Sequence, residues 1–129
     1  MFKLKIKLVH PNAKIPIRAS EFAGGWDVYA ADIKYESDNF VIVDLGFQLE
    51  IPLGYKLTLV PRSSLTKTNW IQQNSPGLGD SDYRGTYQYR FRCIPSYFKY
   101  RQNDAFSIKN LYLMSQEAKI NIIWSSKTL

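Results

Sequence analysis

Residues 85–94 read GTYQYRFRCI. Tyr87, Tyr89, Phe91 and Cys93 alternate there with Gln88, Arg90 and Arg92. Successive side chains of an extended chain point to opposite faces, so this period of two marks a strand with one buried and one wet face. The same signal recurs outward from it. Tyr55 to Val60 alternates and stops at Pro61. FVIVDLGFQLEI at 40–51 reads as strand, with Gly46 as a turn or bulge. Ile51-Pro52-Leu53-Gly54 is expected to form a β-turn, with Pro52 second and Gly54 fourth. Near the start, Phe2, Leu4, Ile6 and Leu8 alternate with Lys3, Lys5 and Lys7, and Pro11-Asn12 ends that run. Phe22 to Ala31 is glycine-centred and then apolar, and Ala118 to Trp124 is expected to form the final strand. Ser63 to Lys67 fits one or two helical turns with a serine cap, and Asn74 to Gly79 reads as loop. Residues 96–117 fit a helical face and a strand equally well. Short strands with turn signals between them, and no βαβ alternation, predict an all-β barrel or sandwich with little helix.

The chain has 129 residues, the usual size of one domain, so a single domain spanning 1–129 is expected. With 45% hydrophobic and 22% charged residues it is ordinary globular material. Its one cysteine, Cys93, excludes an intramolecular disulfide and a cysteine metal cluster, and reads as a small buried apolar side chain. The first ten residues, MFKLKIKLVH, break every apolar run with lysine, so no signal peptide is expected. No apolar run approaches the roughly 20 residues of a membrane span, so the expectation is a soluble, cytoplasmic protein without a membrane partner. The net charge is +6. Residues 1–83 hold nine basic and nine acidic side chains, so the whole excess lies in residues 84–129. Such a segment attracts polyanions, whether triphosphates or nucleic acid, or is a solvated face.

Several chemistries are excluded by what is missing. His10 is the only histidine and reads as a surface residue, which leaves no Ser-His-Asp triad and no His-rich metal site. No Gly-Lys-Ser/Thr follows a strand, so there is no P-loop, and Gly77-Leu78-Gly79 lacks the third glycine of a dinucleotide fingerprint. The stretch from Asp80 to Gly85 begins like a calcium loop. It carries Arg84 where Asp or Asn is required, and Phe91 stands where the bidentate Glu belongs.

Three clusters remain. Ala23-Gly24-Gly25-Trp26-Asp27 sets two glycines, which permit close backbone approach, ahead of one carboxylate. Pro61-Arg62-Ser63-Ser64-Leu65 follows a strand end and opens a helical turn, which brings free N–H groups, hydroxyls and a guanidinium together as an anion site. Gly77-Leu78-Gly79-Asp80-Ser81-Asp82-Tyr83-Arg84-Gly85, preceded by Asn74, carries two carboxylates two residues apart, which suit a general base or a cation site. Taken singly, each also reads as an ordinary turn: a tight turn with a solvated Asp27, a serine-capped turn, and an Asx-type hairpin turn.

In order and spacing, the three clusters resemble the first three motifs of the trimeric dUTPase family, which run roughly A-G-x-D-L-x-A, P-R-S-S/G-L and G-L/V-I-D-x-D-Y-x-G. The resemblance spans about residues 1–95. The related dCTP deaminases share the R-S-S segment but not D-x-D-Y-x-G, and are the weaker match. The resemblance implies a jelly-roll-like or distorted β-barrel subunit of short strands, assembled as a homotrimer with active sites between chains. It implies hydrolysis of dUTP to dUMP and pyrophosphate with Mg²⁺. Asp80 would be the general base that activates water for attack on the α-phosphorus. Tyr83 would lie against the deoxyribose and leave no room for a 2′-hydroxyl. Asn74 would hydrogen-bond uracil, helped by backbone around Gly77, Leu78 and Gly79. Arg62, Ser63 and Ser64 would hold the phosphates, Asp27 would lie near Mg²⁺ through water, and Gln88 would line the sugar–base pocket.

The chain departs from the family pattern after about Pro95. The fourth motif, G-D-R-I-A-Q, has only a remnant in the stretch from Glu117 to Trp124, where Lys119 and Ile120 keep a basic residue before isoleucine and Ile122 stands where Gln belongs. The Gly-rich fifth motif is absent, and Gly79 replaces the usual bulky aliphatic before the general base. Residues 96–129 thus read as a divergent C-terminal segment, replaced, truncated or frame-shifted. The expected consequence is weak or absent hydrolysis with residual nucleotide binding. Two other readings stand beside the enzyme. One is a non-catalytic relative that keeps the trimer. The other is a nucleic-acid-binding β-barrel that uses Tyr87, Tyr89, Arg90, Phe91 and Arg92 for stacking and charge, the weaker of the two because those aromatics alternate onto one face.

Overall fold

The computed structural model describes residues 3–94 and the backbone of 120–125. Among these residues lie ten strands: β1 (Lys5–Leu8), β2 (Trp26–Val28), β3 (Asp32–Ser37), β4 (Phe40–Asp44), β5 (Phe47–Glu50), β6 (Lys56–Val60), β7 (Trp70–Gln72), β8 (Gly77–Gly79), β9 (Gln88–Cys93) and β10 (Ile120–Ser125). One 3-10 helix, Ser63–Lys67, follows β6. The strands form a two-stranded sheet, β1-β5, and two four-stranded sheets ordered β2-β10-β6-β8 and β3-β4-β9-β7. All these strand pairings are antiparallel. The result is the nearly all-strand architecture that the alternation predicts, with the jelly-roll-like form that the family resemblance implies.

The 85–94 segment behaves as read. Tyr87, Tyr89, Phe91 and Cys93 are buried, with Tyr89 at 0% exposure, while Arg90 is exposed. β9 is a central strand, flanked by β4 and β7. Its buried face meets Val41 and Val43 of β4, Phe47 and Leu49 of β5 and Leu57 and Leu59 of β6 in one cluster, so all three sheets close on a single core. Burying each such side chain stabilises the fold by about 1.5–3 kcal/mol. Tyr89 and Phe91 stack with ring centroids 5.7 Å apart inside that core. Their faces are therefore not offered to nucleic-acid bases, which removes the stacking platform of the nucleic-acid reading.

Gly46 is the break in the 40–51 run. It adopts φ +71° between β4 and β5, and its N–H donates to Asp44 Oδ1 at 2.7 Å. A Cβ there would stand 2.8 Å from the Cβ atoms of Ala31 and His10, so the position needs both the left-handed backbone and the missing side chain.

Three local expectations are corrected. The turn after β5 lies one residue later than expected: the Tyr55 N–H donates to the Pro52 carbonyl at 3.0 Å, and Gly54 takes φ +91° in the third position, where a type II turn needs it. The 3-10 helix has no serine cap, because Arg62 occupies the N-cap position and makes no side-chain capping bond. Asn74 to Gly79 is not all loop, since Gly77–Gly79 pairs with β6. His10 is a partly exposed surface residue, as expected, and its Nδ1 accepts the Asn12 N–H at 3.0 Å. The final strand runs Ile120–Ser125, close to the expected 118–124, and inserts between β2 and β6. The ambiguous 96–117 segment lies outside the described residues.

Candidate active site

The three clusters fall into two groups, separated by the length of β6. In the β6–β8 ladder, Leu59 faces Gly77 and Leu57 faces Gly79, so Asp80 leaves the sheet beside Lys56, at the start of β6. Pro61-Arg62-Ser63-Ser64 leaves from the other end, after Val60. At about 3.3 Å per residue, Asp80 and Arg62 lie roughly 20 Å apart along the strand. Asp27 belongs with the second group. Asn121 of β10 pairs with Asp27 on one side and with Val60 on the other, which sets Asp27 level with the end of β6, two strand spacings or roughly 10 Å away.

The first group is a connected structure. The Tyr83 N–H donates to the Asp80 carbonyl at 3.1 Å and closes a turn that leaves the Asp80 side chain exposed. Arg84 Nη1 donates to the Ser81 carbonyl at 2.6 Å and braces the same turn. The Tyr83 hydroxyl donates to the Thr86 carbonyl at 2.7 Å, and its ring stands edge-on to Tyr87 with centroids 5.3 Å apart. Tyr83 remains 42% exposed, and its ring lies against Gly85, where a Cβ would stand 2.6 Å from Cζ. Asn74 is a strut. Its Nδ2 donates to the Gln88 carbonyl at 2.9 Å, and its Oδ1 accepts the Arg90 N–H at 2.9 Å. These two bonds use half of the capacity of a carboxamide, which carries two donors and two lone pairs. β8 is an edge strand, which leaves one row of backbone groups around Leu78 unpaired by the sheet. Ser75–Pro76, just before it, is a cis peptide.

Two residues here were not assigned to this site by the sequence. Gln72 is buried, and its Nε2 donates to the Leu59 carbonyl at 3.0 Å and the Asn74 carbonyl at 2.8 Å, which ties the 74–79 hairpin to β6. Tyr87, read as core or as a nucleic-acid stacking residue, packs against Gly79 and against Tyr83 of the Asp80–Tyr83 turn. Burial pushes its phenol up to about 12, with the nearby Tyr83 and Asp80 adding to the shift and Arg84 opposing it.

The second group has the features of an anion cradle. Ser64 Oγ is buried without a hydrogen-bond partner, while Ser63 is exposed and Arg62 half-buried. An orphaned buried hydroxyl costs free energy until a partner arrives, and a phosphate oxygen would supply one. The Tyr89 hydroxyl donates to the Val60 carbonyl at 3.0 Å and anchors the strand end from which this loop departs. Among the described residues, no three or more His, Cys, Asp or Glu side chains converge to hold a metal on their own. Asp27 is buried, roughly 10 Å from the end of β6, and a lone carboxylate is the kind of group Mg²⁺ takes alongside waters and substrate phosphates.

No helix among the described residues is long and apolar enough to cross a membrane. Comparison with known proteins gives concordant findings. Solved dUTPases from Staphylococcus aureus phage phi11 and from Staphylococcus bacteriophage 80alpha superpose with TM-scores of 0.75 and 0.74 at 17% identity each, covering 99% and 98% of this chain and 92% of each of theirs. At that identity the likeness concerns the fold. A deoxyuridine 5′-triphosphate nucleotidohydrolase of Helicobacter pylori is 36% identical over 85 residues, covering 64% of this chain and 59% of that protein. The same enzyme of Escherichia phage T5 is 41% identical over 91 residues, covering 64% of this chain and 61% of the relative. The chain thus spans about three fifths of the length of these curated relatives. The family model described as dUTPase matches residues 11–92, well over half of the chain, and the chain belongs to the dUTPase family.

Proposed function

We propose that this protein hydrolyses dUTP to dUMP and pyrophosphate, at sites that two chains complete together. The observation that carries the reading is the Asp80–Tyr83 turn, which carries an exposed carboxylate and a partly exposed tyrosine beside the 74–79 hairpin. Uracil would lie against the β8 edge, where backbone around Gly77, Leu78 and Gly79 and the spare capacity of Asn74 offer paired hydrogen bonds. Mismatched polar groups there penalise another base by roughly 1–3 kcal/mol each. Gln88 would line the pocket from β9. Tyr83 would lie against the deoxyribose. Asp80 would take a proton from the water that attacks the α-phosphorus. As the new P–O bond forms, the bond to the bridging oxygen breaks, and pyrophosphate leaves with that oxygen. Asp80 then releases its proton to solvent.

Arg62, Ser63 and Ser64 are suited to the phosphates, yet their separation from Asp80 by the length of β6 prevents both from serving one nucleotide within a chain. A neighbouring chain that brings its cradle to this chain's turn resolves that separation, and closed symmetry repeats the contact around a homotrimer. Mg²⁺, held through water near Asp27, would supply charge neutralisation on the triphosphate. The segment after Pro95 is proposed to slow turnover while leaving nucleotide binding in place, since Ile122 stands where the family's fourth motif carries Gln. The test is pyrophosphate release from dUTP, dCTP, dTTP and UTP with Mg²⁺. Release fastest from dUTP, however slow, is expected. Faster release from UTP or dCTP would overturn the assignment.

A further inference from the structure

Gly79 is buried and faces the ring of Tyr87. A Cβ at this position would stand 2.6 Å from Tyr87 Cε1 and 2.8 Å from its hydroxyl oxygen, closer than packed atoms come. The phenol therefore occupies the volume that a side chain at 79 would fill. The same ring lies 6.0 Å from Phe47 in the core and 5.3 Å from Tyr83 at the site. Its hydroxyl is buried with no hydrogen-bond partner, so the ring is held by shape and not by a polar tether.

Tyr83 has its own fixed points at the Asp80 carbonyl and the Thr86 carbonyl. Tyr87 is the aromatic ring packed edge-on against it, with centroids 5.3 Å apart. We infer that Tyr87 is a positioning residue: it fills the place of the absent side chain at 79 and seats the Tyr83 ring, and so sets the clearance that separates deoxyribonucleotides from ribonucleotides. The inference rests on the proposed function, in which Tyr83 faces the sugar. Its physical basis is that cores behave as close-packed solids. Removing the phenol lets the Tyr83 ring sink, and adding a side chain at 79 pushes the phenol outward. A displacement of about 1 Å is enough to change a reacting geometry, and here it would admit or exclude one oxygen atom.

The experiment compares the full chain with Tyr87→Leu, Gly79→Ile, the double variant and Tyr87→Phe, using kcat and KM for dUTP and UTP. Each of Tyr87→Leu and Gly79→Ile should narrow the dUTP:UTP ratio of kcat/KM by about tenfold or more. The double variant, which exchanges the two volumes, should return the ratio to within about threefold of wild type. Tyr87→Phe keeps the ring and should keep the ratio. Single variants that retain the wild-type ratio, or a double variant no better than the worse single one, would overturn the inference and leave the dUTPase reading intact. A wild-type chain with no preference for dUTP would remove both. Should Tyr87→Leu fail to fold, Gly79→Ala carries the same test, because the added Cβ alone meets the phenol.

Discussion

Asn74→Ala separates a structural role from a base-reading role. The side chain makes two bonds at 2.9 Å, to the Gln88 carbonyl and from the Arg90 N–H. Each is worth about 0.5–1.5 kcal/mol net, so losing both costs about 1–3 kcal/mol. Water reaches the exposed Arg90 N–H in the variant and keeps the loss in the lower half of that range. For a domain of this size, about 1–2 kcal/mol lowers Tm by roughly 3–10 °C. Urea unfolding should show a lower midpoint at an unchanged m-value, since the surface exposed on unfolding is the same. The hairpin at 74–79 would then be held to the rest of the fold mainly through Gln72 and the β6 ladder, so KM for dUTP should rise along with the loss of stability. Asn74→Asp keeps the acceptor for Arg90 but turns an oxygen toward the Gln88 carbonyl, and should fall at or below the alanine variant in stability. Lost dUTP binding with Tm within about 1 °C of wild type would refute the strut and leave Asn74 as a base contact alone.

Three further outcomes are expected. Gly46→Ala combines a left-handed backbone penalty of about 1–2 kcal/mol with overpacking of about 1–3 kcal/mol against Ala31 and His10, so urea unfolding should report a loss of roughly 2–5 kcal/mol. Asp80→Asn, on an exposed turn, should lower dUTP hydrolysis by about 10²–10⁴-fold while leaving Tm within about 1 °C of wild type. Alkaline pH should destabilise the fold with a defined sign. Burial raises Cys93 from 9.0 to about 11 and Tyr87 from 10.0 to about 12, so the folded state binds these protons more tightly. The associated stability is fully present below pH 9.0 and is lost as pH climbs through about 11 and then about 12. Urea midpoints against pH measure this, and at pH 8 a thiol reagent should label Cys93 only in unfolded protein.

The strands that could be read from the sequence are those whose buried positions are all apolar. β9 and the β4–β5 run satisfy this, and the glycine between β4 and β5 marks its own break. β7 was missed because its alternation is inverted in character. Trp70 and Gln72 point inward while Ile71 is 45% exposed, and the buried amide of Gln72 is made tolerable by the Leu59 and Asn74 carbonyls, which no local pattern announces. β8 was missed because Gly-Leu-Gly has almost no side chain to alternate, and only its ladder with β6 makes it a strand. The candidate site residues can be named from the sequence as chemical types, but their grouping cannot. Which motif shares an end of β6 with which depends on ladders between strands far apart in sequence. The exchange of volume between Gly79 and Tyr87 is hidden for the same reason: one reads as a loop glycine, the other as a core aromatic, and only packing joins them.

The most direct test of a site shared between chains is complementation. Asp80→Asn and Arg62→Ala chains, each inactive alone, are unfolded together, refolded as a mixture and assayed for pyrophosphate release from dUTP. If each site takes its carboxylate turn from one chain and its phosphate cradle from the next, random mixing restores roughly a quarter of the sites, and activity should return to about that fraction of wild type. A mixture no more active than the two variants assayed apart would contradict the shared site.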